Sequence, residues 1–289
     1  MKTLILFLLF ASLNFSQSSL LLLMSDDELS AKTKAYQIRV LADGGEIINI
    51  DAVEAAYKDA INNGYYDSLQ VWVSASFGIK KNANNKTTKL YNLIGTSDFA
   101  QADTAKAPTW YADSLSGKPT LKFDGSSDVL ISSIPVNFTY GGSIIVVQSL
   151  ASNAALYTMV GANEYLSYVF QNESIGITTK FGGSTGGTNA LRTFNILAVY
   201  TNYINGMTLN PDDTNRVTHY RNGTAVANGT MSAPNLTWNG DSYCIGAERG
   251  HNATLTSLNL YLGNISEILI SKDLITSPYV FLNGFYNIY

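Results

Sequence analysis

One cysteine stands in a chain of 289 residues, so no intrachain disulfide can form. For an exported protein this argues against a disulfide-built animal module and fits a bacterial or viral product. The cysteine, Cys244, lies between Tyr243 and Ile245 in a strand-like stretch and reads as a buried, inert thiol. Charged residues make up only 14% of the chain and the net charge is −4. No basic run occurs, which excludes a nucleic-acid partner of the electrostatic kind. There are two histidines, His219 and His251, and neither is accompanied by a Gly-x-Ser-x-Gly elbow. His219 is expected as an exposed residue on a strand before a hairpin, and His251 in a loop. No histidine and cysteine spacing matches a zinc site. A jelly-roll glycosidase of the retaining kind places two carboxylates on one strand face as Glu-x-Asp-x-x-Glu, and no such string is present. Glu267 stands alone among apolar neighbours. These absences argue against an enzyme.

What is present is apolar and punctuated. Apolar residues make up 46%, enough in this length to bury a core without cross-links. Lys2 precedes an apolar run from Leu4 to Ala11, then a polar Asn14–Ser19 stretch, then Leu20–Met24. No charged residue falls between Lys2 and Asp26. Residues 1–24 therefore read as a secretory leader or a membrane anchor, with a structural arm as the alternative. Residues 25–68 form a second segment. Tyr36–Leu41 reads as extended and Asp43-Gly44-Gly45 as a turn. Asp51-Ala52-Val53-Glu54 has capping-box spacing, and Val53, Ala56, Tyr57, Ala60 and Ile61 give the following helix an apolar face that Gly64 can end.

From residue 69 to 289 the chain reads as strands. Leu69, Val71, Val73, Ala75 and Phe77 alternate with other residues, and Ser143–Leu150 is a continuous run suited to a central strand. Further strands are expected over Tyr165–Gln171, Ile175–Phe181, Ile196–Tyr203, Val217–Arg221, Tyr243–Gly246 and Ile265–Ser271. Turn residues such as Asn222-Gly223 separate them. The pattern predicts an all-β, two-sheet antiparallel sandwich with a small helical N-terminal segment. Val146, Phe170, Ile196, Ile245 and Ile268 are its expected core. The aromatic-rich tail from Ser277 reads as a short helix or arm covering the sandwich.

Short motifs in order add a resemblance. Lys89-Leu90-Tyr91-Asn92-Leu93, Pro108-Thr109-Trp110 and Lys118-Pro119-Thr120-Leu121-Lys122-Phe123-Asp124-Gly125 are similar to the opening of laminin-G-like modules. Arg221-Asn222-Gly223, Ile245-Gly246 and Gly263-Asn264-Ile265-Ser266-Glu267-Ile268 resemble their C-terminal half. The resemblance spans roughly residues 88–271 and implies a concanavalin A-like jelly roll, a fold that usually binds glycans or proteins at a surface. The segment Tyr36–Gly45, with Arg39-Val40 and Asp43-Gly44-Gly45, is similar to an attachment element in structural proteins of some bacteriophages. An ordinary turn and helix packed on the sandwich is the other reading of it.

Glycan binding calls for an aromatic platform beside planar polar groups. Trp238, Asn239, Asp241 and Tyr243, with Arg249 and His251 in the next loop, are the leading candidates. Trp110, Tyr111 and Asp113 are a second set. The alternative for Trp238 is packing under a loop. No cofactor is expected. Calcium is the one metal the residues allow, with Asp212 and Asp213 as candidate ligands, though such residues also form turns. The expected protein is a non-catalytic virion surface component of a bacteriophage, a spike, fibre or decoration protein. Its expected partners are a cell-surface glycan, other virion or envelope proteins and copies of itself, with membrane contact through the N-terminus. The alternatives are a secreted or envelope-anchored bacterial lectin-like protein, extracellular or in the cell envelope, and, third, a jelly-roll glycoside hydrolase.

Overall fold

The computed structural model describes residues 31–135, 141–152, 157–161, 168–173, 176–181, 189–192, 198–210, 212, 217–229, 242–247 and 260–288. Strands are numbered in chain order. The first sheet runs β1 (Glu46–Ile47), β3 (Gly78–Lys81), β4 (Thr87–Leu90), β5 (Phe99–Ala100), β8 (Leu130–Pro135), β17 (Ser242–Ile245), β10 (Tyr157–Gly161), β11 (Tyr168–Glu173), β12 (Gly176–Phe181) and β13 (Asn189–Arg192). The second runs β16 (Thr224–Gly229), β15 (Val217–Arg221), β14 (Asn202–Leu209), β9 (Gly142–Leu150), β18 (Leu262–Ser271), β7 (Lys118–Asp124) and β6 (Thr109–Leu115). A further strand, β2 (Leu69–Ser74), also pairs with β18. Every pairing among the described strands is antiparallel. The expected two-sheet antiparallel sandwich is what forms.

The central strands of the second sheet are buried on both faces. Ile144 and Val146 of β9, Val71 and Val73 of β2, and Ile268 and Ile270 of β18 join the core between the sheets. Their neighbours Ile145, Val147, Trp72 and Leu269 join a second core on the opposite face. Alternation sends successive side chains to opposite faces, and both faces of β9 are covered. That is why every residue of β9 is buried. Each such aliphatic side chain contributes roughly 1.5–3 kcal/mol. The expected core residues Val146, Ile245 and Ile268 are fully buried. The side chain of Phe170 and the whole of Ile196 lie outside the described residues, as does the Leu4–Met24 run.

A bulge sets the polarity of β18. Its register against β9 shifts between Ile265 and Glu267, so Ser266 is an extra residue. Ile265 and Ile268 thereby share the inner core despite their odd spacing. The strand changes partner at the same point, from β7 before the bulge to β2 after it. The main-chain N–H of Ala75 donates to the Ser266 carbonyl (2.8 Å), and the Ser266 hydroxyl donates to the Pro119 carbonyl (2.6 Å), so the bulge is pinned from both partners.

Among the described residues three helices cover the outer core: α1 (Ala31–Ala42), α2 (Ile50–Asn62) and α3 (Pro278–Tyr286). The expected extended segment Tyr36–Leu41 is instead the second half of α1. Thr33, Tyr36, Gln37 and Val40 are its buried residues, a spacing that lays one helical stripe on the sandwich. The expected turn at Asp43-Gly44-Gly45 forms and ends this helix, with Gly45 N–H donating to the Val40 carbonyl at 2.9 Å. The expected capping box is displaced. Asn49 is the N-cap of α2 and accepts the Ala52 N–H at 3.0 Å, while Asp51 lies inside the first turn. Glu54 faces the protein, accepting the Thr33 hydroxyl and pairing with Lys58 at 3.2 Å. The expected strand over Ile196–Tyr203 is observed later, as β14 from Asn202 to Leu209. The Asn222-Gly223 hairpin joins β15 to β16, with both residues at positive φ (50° and 84°).

The polar motif of the N-terminal segment ties these layers together. Arg39 donates to both oxygens of Asp98 (2.7 and 2.9 Å), and Asp98 also accepts the Asn92 N–H at 2.9 Å. Asp43 accepts the Tyr91 hydroxyl (2.6 Å) and Lys89 (2.9 Å), and these bonds lower its pKa to about 2. The Arg39–Gly45 stretch thus packs as a turn and helix on the sandwich. Among the described residues no helix is long and apolar enough to cross a membrane.

Candidate functional site

The leading sequence candidates fall largely outside the described residues: Trp238, Asn239, Asp241, Arg249, His251 and Asp213 all do. Tyr243 is described, and it corrects the expectation of a surface platform. Its ring is fully buried on β17 within the inner core, and its hydroxyl donates to Gln70 Oε1 at 3.3 Å. A ring enclosed between two sheets offers no face to a sugar. His219 is also buried rather than exposed, because its strand packs against the inner core. Burial lowers its pKa to about 3. Cys244 is buried, as expected.

Several acids among the described residues are engaged structurally. Asp124 opens a tight turn in which its Oδ1 accepts the N–H groups of Ser126, Ser127 and Asp128 at 2.8–3.1 Å. Burial opposes its ionisation, yet these bonds and the Ser126 hydroxyl together hold its pKa below the ordinary carboxylate range. Burial and the Asp124 charge raise Asp128 to about 6, against the pull of Lys86 at 3.5 Å. Glu267 is sealed under α3, where Tyr286 donates to Oε2 (2.6 Å) and the Trp72 indole to Oε1. Burial raises its pKa to about 7 in spite of these bonds. Asp212 is exposed, and its N–H closes a turn on Asn210 Oδ1 at 3.2 Å. No group of three or more acidic, histidine or cysteine side chains gathers to hold a metal among the described residues.

The second sequence candidate is described in full, and the fold divides it. Trp110 turns toward the inner core and donates its indole N–H to the Ala75 carbonyl at 3.1 Å. Tyr111, the next residue on β6, is 44% exposed. Asp113 is exposed on a bulge, where β6 advances from Tyr111 to Leu115 while β7 advances only from Thr120 to Lys118. Strand alternation produces this split, because adjacent residues cannot share a face.

The β7 residues on the Tyr111 face complete the surface. Leu121 and Phe123 belong to the inner core, so Lys118, Thr120 and Lys122 line the other face. Thr120 is opposite Tyr111 in the register. The Lys122 ammonium lies 5.8 Å from the centre of the Tyr111 ring, and the Lys118 ammonium 4.2 Å from that of Phe285 in α3. Phe285 in turn stacks on Phe281, with centroids 5.9 Å apart. Beyond α3 the outer face of the second sheet reaches solvent with the Tyr111 ring and Lys122 exposed, and with Lys118 half-buried over the half-buried Phe285 ring of α3. An aromatic face takes the apolar side of a pyranose, and an ammonium donates to hydroxyl or anionic oxygens. The alternation Lys118-x-Thr120-x-Lys122 carried this signal in the sequence. The contribution of Phe285, distant in the chain, did not show there.

No family model matches the sequence, and no curated protein matches it. Solved structures do match in fold. The botulinum neurotoxin serotype D binding domain aligns at TM-score 0.53 and 13% identity, covering 78% of this chain and 52% of that one. The serotype D ligand binding domain in complex with N-acetylneuraminic acid aligns at TM-score 0.51 and 12% identity, with the same coverage of 78% and 52%. This chain therefore spans about half the length of those it matches. The fold is that of the concanavalin A-like jelly-roll sandwich modules, as the ordered motifs implied.

Proposed function

We propose that this chain is a non-catalytic carbohydrate-binding jelly-roll protein working at a surface. The observation that carries the reading is the exposed Tyr111 ring on β6, flanked by Lys118 and Lys122 and continued by Phe285. The fold likeness to a domain solved with N-acetylneuraminic acid supports it. The non-catalytic part is supported by where the carboxylates go. Glu267 is enclosed, and Asp124 and Asp128 are committed to a turn.

The similarity of Tyr36–Gly45 to bacteriophage structural proteins supports placement on a virion, as a spike, fibre or decoration component that contacts host glycan. The apolar Leu4–Met24 run favours a second placement, a secreted or envelope-anchored bacterial lectin-like protein. Screening the purified chain against an immobilised glycan panel tests the activity. Binding to a defined subset, reduced by Tyr111→Ala with the fold intact, is the expected result. No binding to any glycan would overturn it. Mass spectrometry of purified virions tests the placement, and absence of the chain there would reject the virion.

A further inference from the structure

Resting on that reading, we propose that the β6–β7 surface takes an anionic polysaccharide, a chain whose sugars carry carboxylate or sulfate groups. The described lysines differ in what they touch, and Lys32, over the Tyr66 ring, shares the ring contact of Lys118 and Lys122 but stands apart from them on α1. Lys58, Lys80, Lys81, Lys86, Lys89 and Lys106 each contact a carboxylate within 4.0 Å. Lys118 and Lys122 contact aromatic rings instead, so their charge is held in place without being neutralised by the groups they touch. Lys122 is exposed.

The two ammonium groups spring from one strand face, four residues apart, or about 13 Å along the strand at 3.3 Å per residue. That distance exceeds one pyranose ring, so both lysines engage a chain rather than a single sugar. Tyr111 and Thr120 lie level with the midpoint. Thr120 itself is fully buried beneath this surface, so a ligand meets the rings and the ammonium groups. Rings and cations therefore alternate along the surface. Overall the chain has a net charge of −4, which makes a local attraction for anions a property of this surface rather than of the molecule.

Calorimetric titration of the full chain with oligogalacturonate, chondroitin sulfate, neutral dextran and single-stranded DNA tests the inference. One or both acidic glycans are expected to bind, and the pair separates carboxylate from sulfate recognition. The Lys118→Gln/Lys122→Gln double variant should lose at least tenfold in affinity, and raising the salt should weaken the wild type more than the variant. Lys122→Gln alone should lose severalfold. It serves as the test if the double variant does not fold, as judged by its thermal transition. Dextran bound as well as the acidic glycans, with affinity unchanged in the lysine variants, would overturn the anionic inference while the carbohydrate reading stood. DNA bound as tightly as the glycans would show attraction to charge alone and would also overturn it. If no glycan binds, both readings fall.

Discussion

The two faces of the second sheet are built from the same strands but by different rules. The middle of the inner face is mostly aliphatic, with Ile144, Val146, Ile268 and Ile270 turned toward the other sheet. The outer face mixes Ile145, Val147 and Leu269 with Trp72, Tyr279 and Tyr286, and encloses a carboxyl group, Glu267. The inner face needs only volume and apolarity, which many sequences supply. The outer face is covered by helices held through directional contacts: Trp72 and Tyr286 enclose Glu267 beneath α3, while Arg39 and Tyr91 tie α1 and its turn to the segment after β4. Where α3 ends its cover, at β6 and β7, the outer face becomes the exposed surface with Tyr111 and the two lysines. Binding chemistry thus arises where the layer of helices stops.

The contrast can be broken first from the inner side. Phe123 is fully buried and meets Tyr261 edge-on, with centroids 5.9 Å apart. Phe123→Ala should cost roughly 3–5 kcal/mol in denaturant unfolding. A loss below about 1 kcal/mol would mean that the inner core does not close around it.

The outer side should lose stability as pH rises. Glu267 has its folded pKa raised from 4.5 to about 7. A raised carboxyl contributes stability that is fully present below pH 4.5 and is lost as pH climbs through 7. Glu267→Gln has no proton to lose. It should match the wild type near pH 4.5 and exceed it by up to about 3 kcal/mol at pH 8, at 1.36 kcal/mol per pKa unit. His219 slopes the opposite way, since its pKa falls to about 3 on burial, and stability held above pH 6.5 is lost on acidification. That term is common to both proteins and cancels in the comparison. Identical pH profiles of unfolding would remove the buried carboxyl from the account.

A smaller effect is expected at the tie between α1 and the first sheet. Asp98→Ala strips Arg39 and Lys89 of a carboxylate that is 6% exposed. The cost should be about 2 kcal/mol, below the 3–5 of a fully buried pair, because Arg39 keeps 24% of its side-chain exposure. Thermal unfolding of the variant measures it. At the exposed end, Lys122→Gln should change stability by less than about 0.5 kcal/mol. A large loss there would mean that the lysine serves the sheet edge rather than a ligand.

How much of this could be read in advance follows the same division. The sandwich was legible because alternation, the Asn222-Gly223 hairpin and the ordered glycine motifs depend on local spacing. Gly246 and Gly263 show why such glycines matter: a Cβ would lie 2.4 Å from the Phe123 ring in one case and 2.4 Å from the Ser149 carbonyl oxygen in the other. The helical state of Tyr36–Leu41 was not legible, because its β-compatible residues are held helical by burial of Tyr36 and Val40 on the sandwich. Tyr243 was misplaced for a related reason. Nothing local distinguishes a strand tyrosine facing the core from one facing solvent unless the partner sheet is known. The Tyr111–Phe285 surface joins residues far apart in the chain, so only half of it, the alternating lysines, could be found in sequence.

The most direct measurement is amide chemical-shift mapping of the chain titrated with an acidic oligosaccharide. The account predicts shifts concentrated at Thr109–Tyr111, Lys118–Lys122 and the Phe285 end of α3, with the buried strands β9 and β18 unmoved. Shifts that leave these residues untouched and cluster instead around Trp238–Asp241 and Arg249–His251 would contradict it.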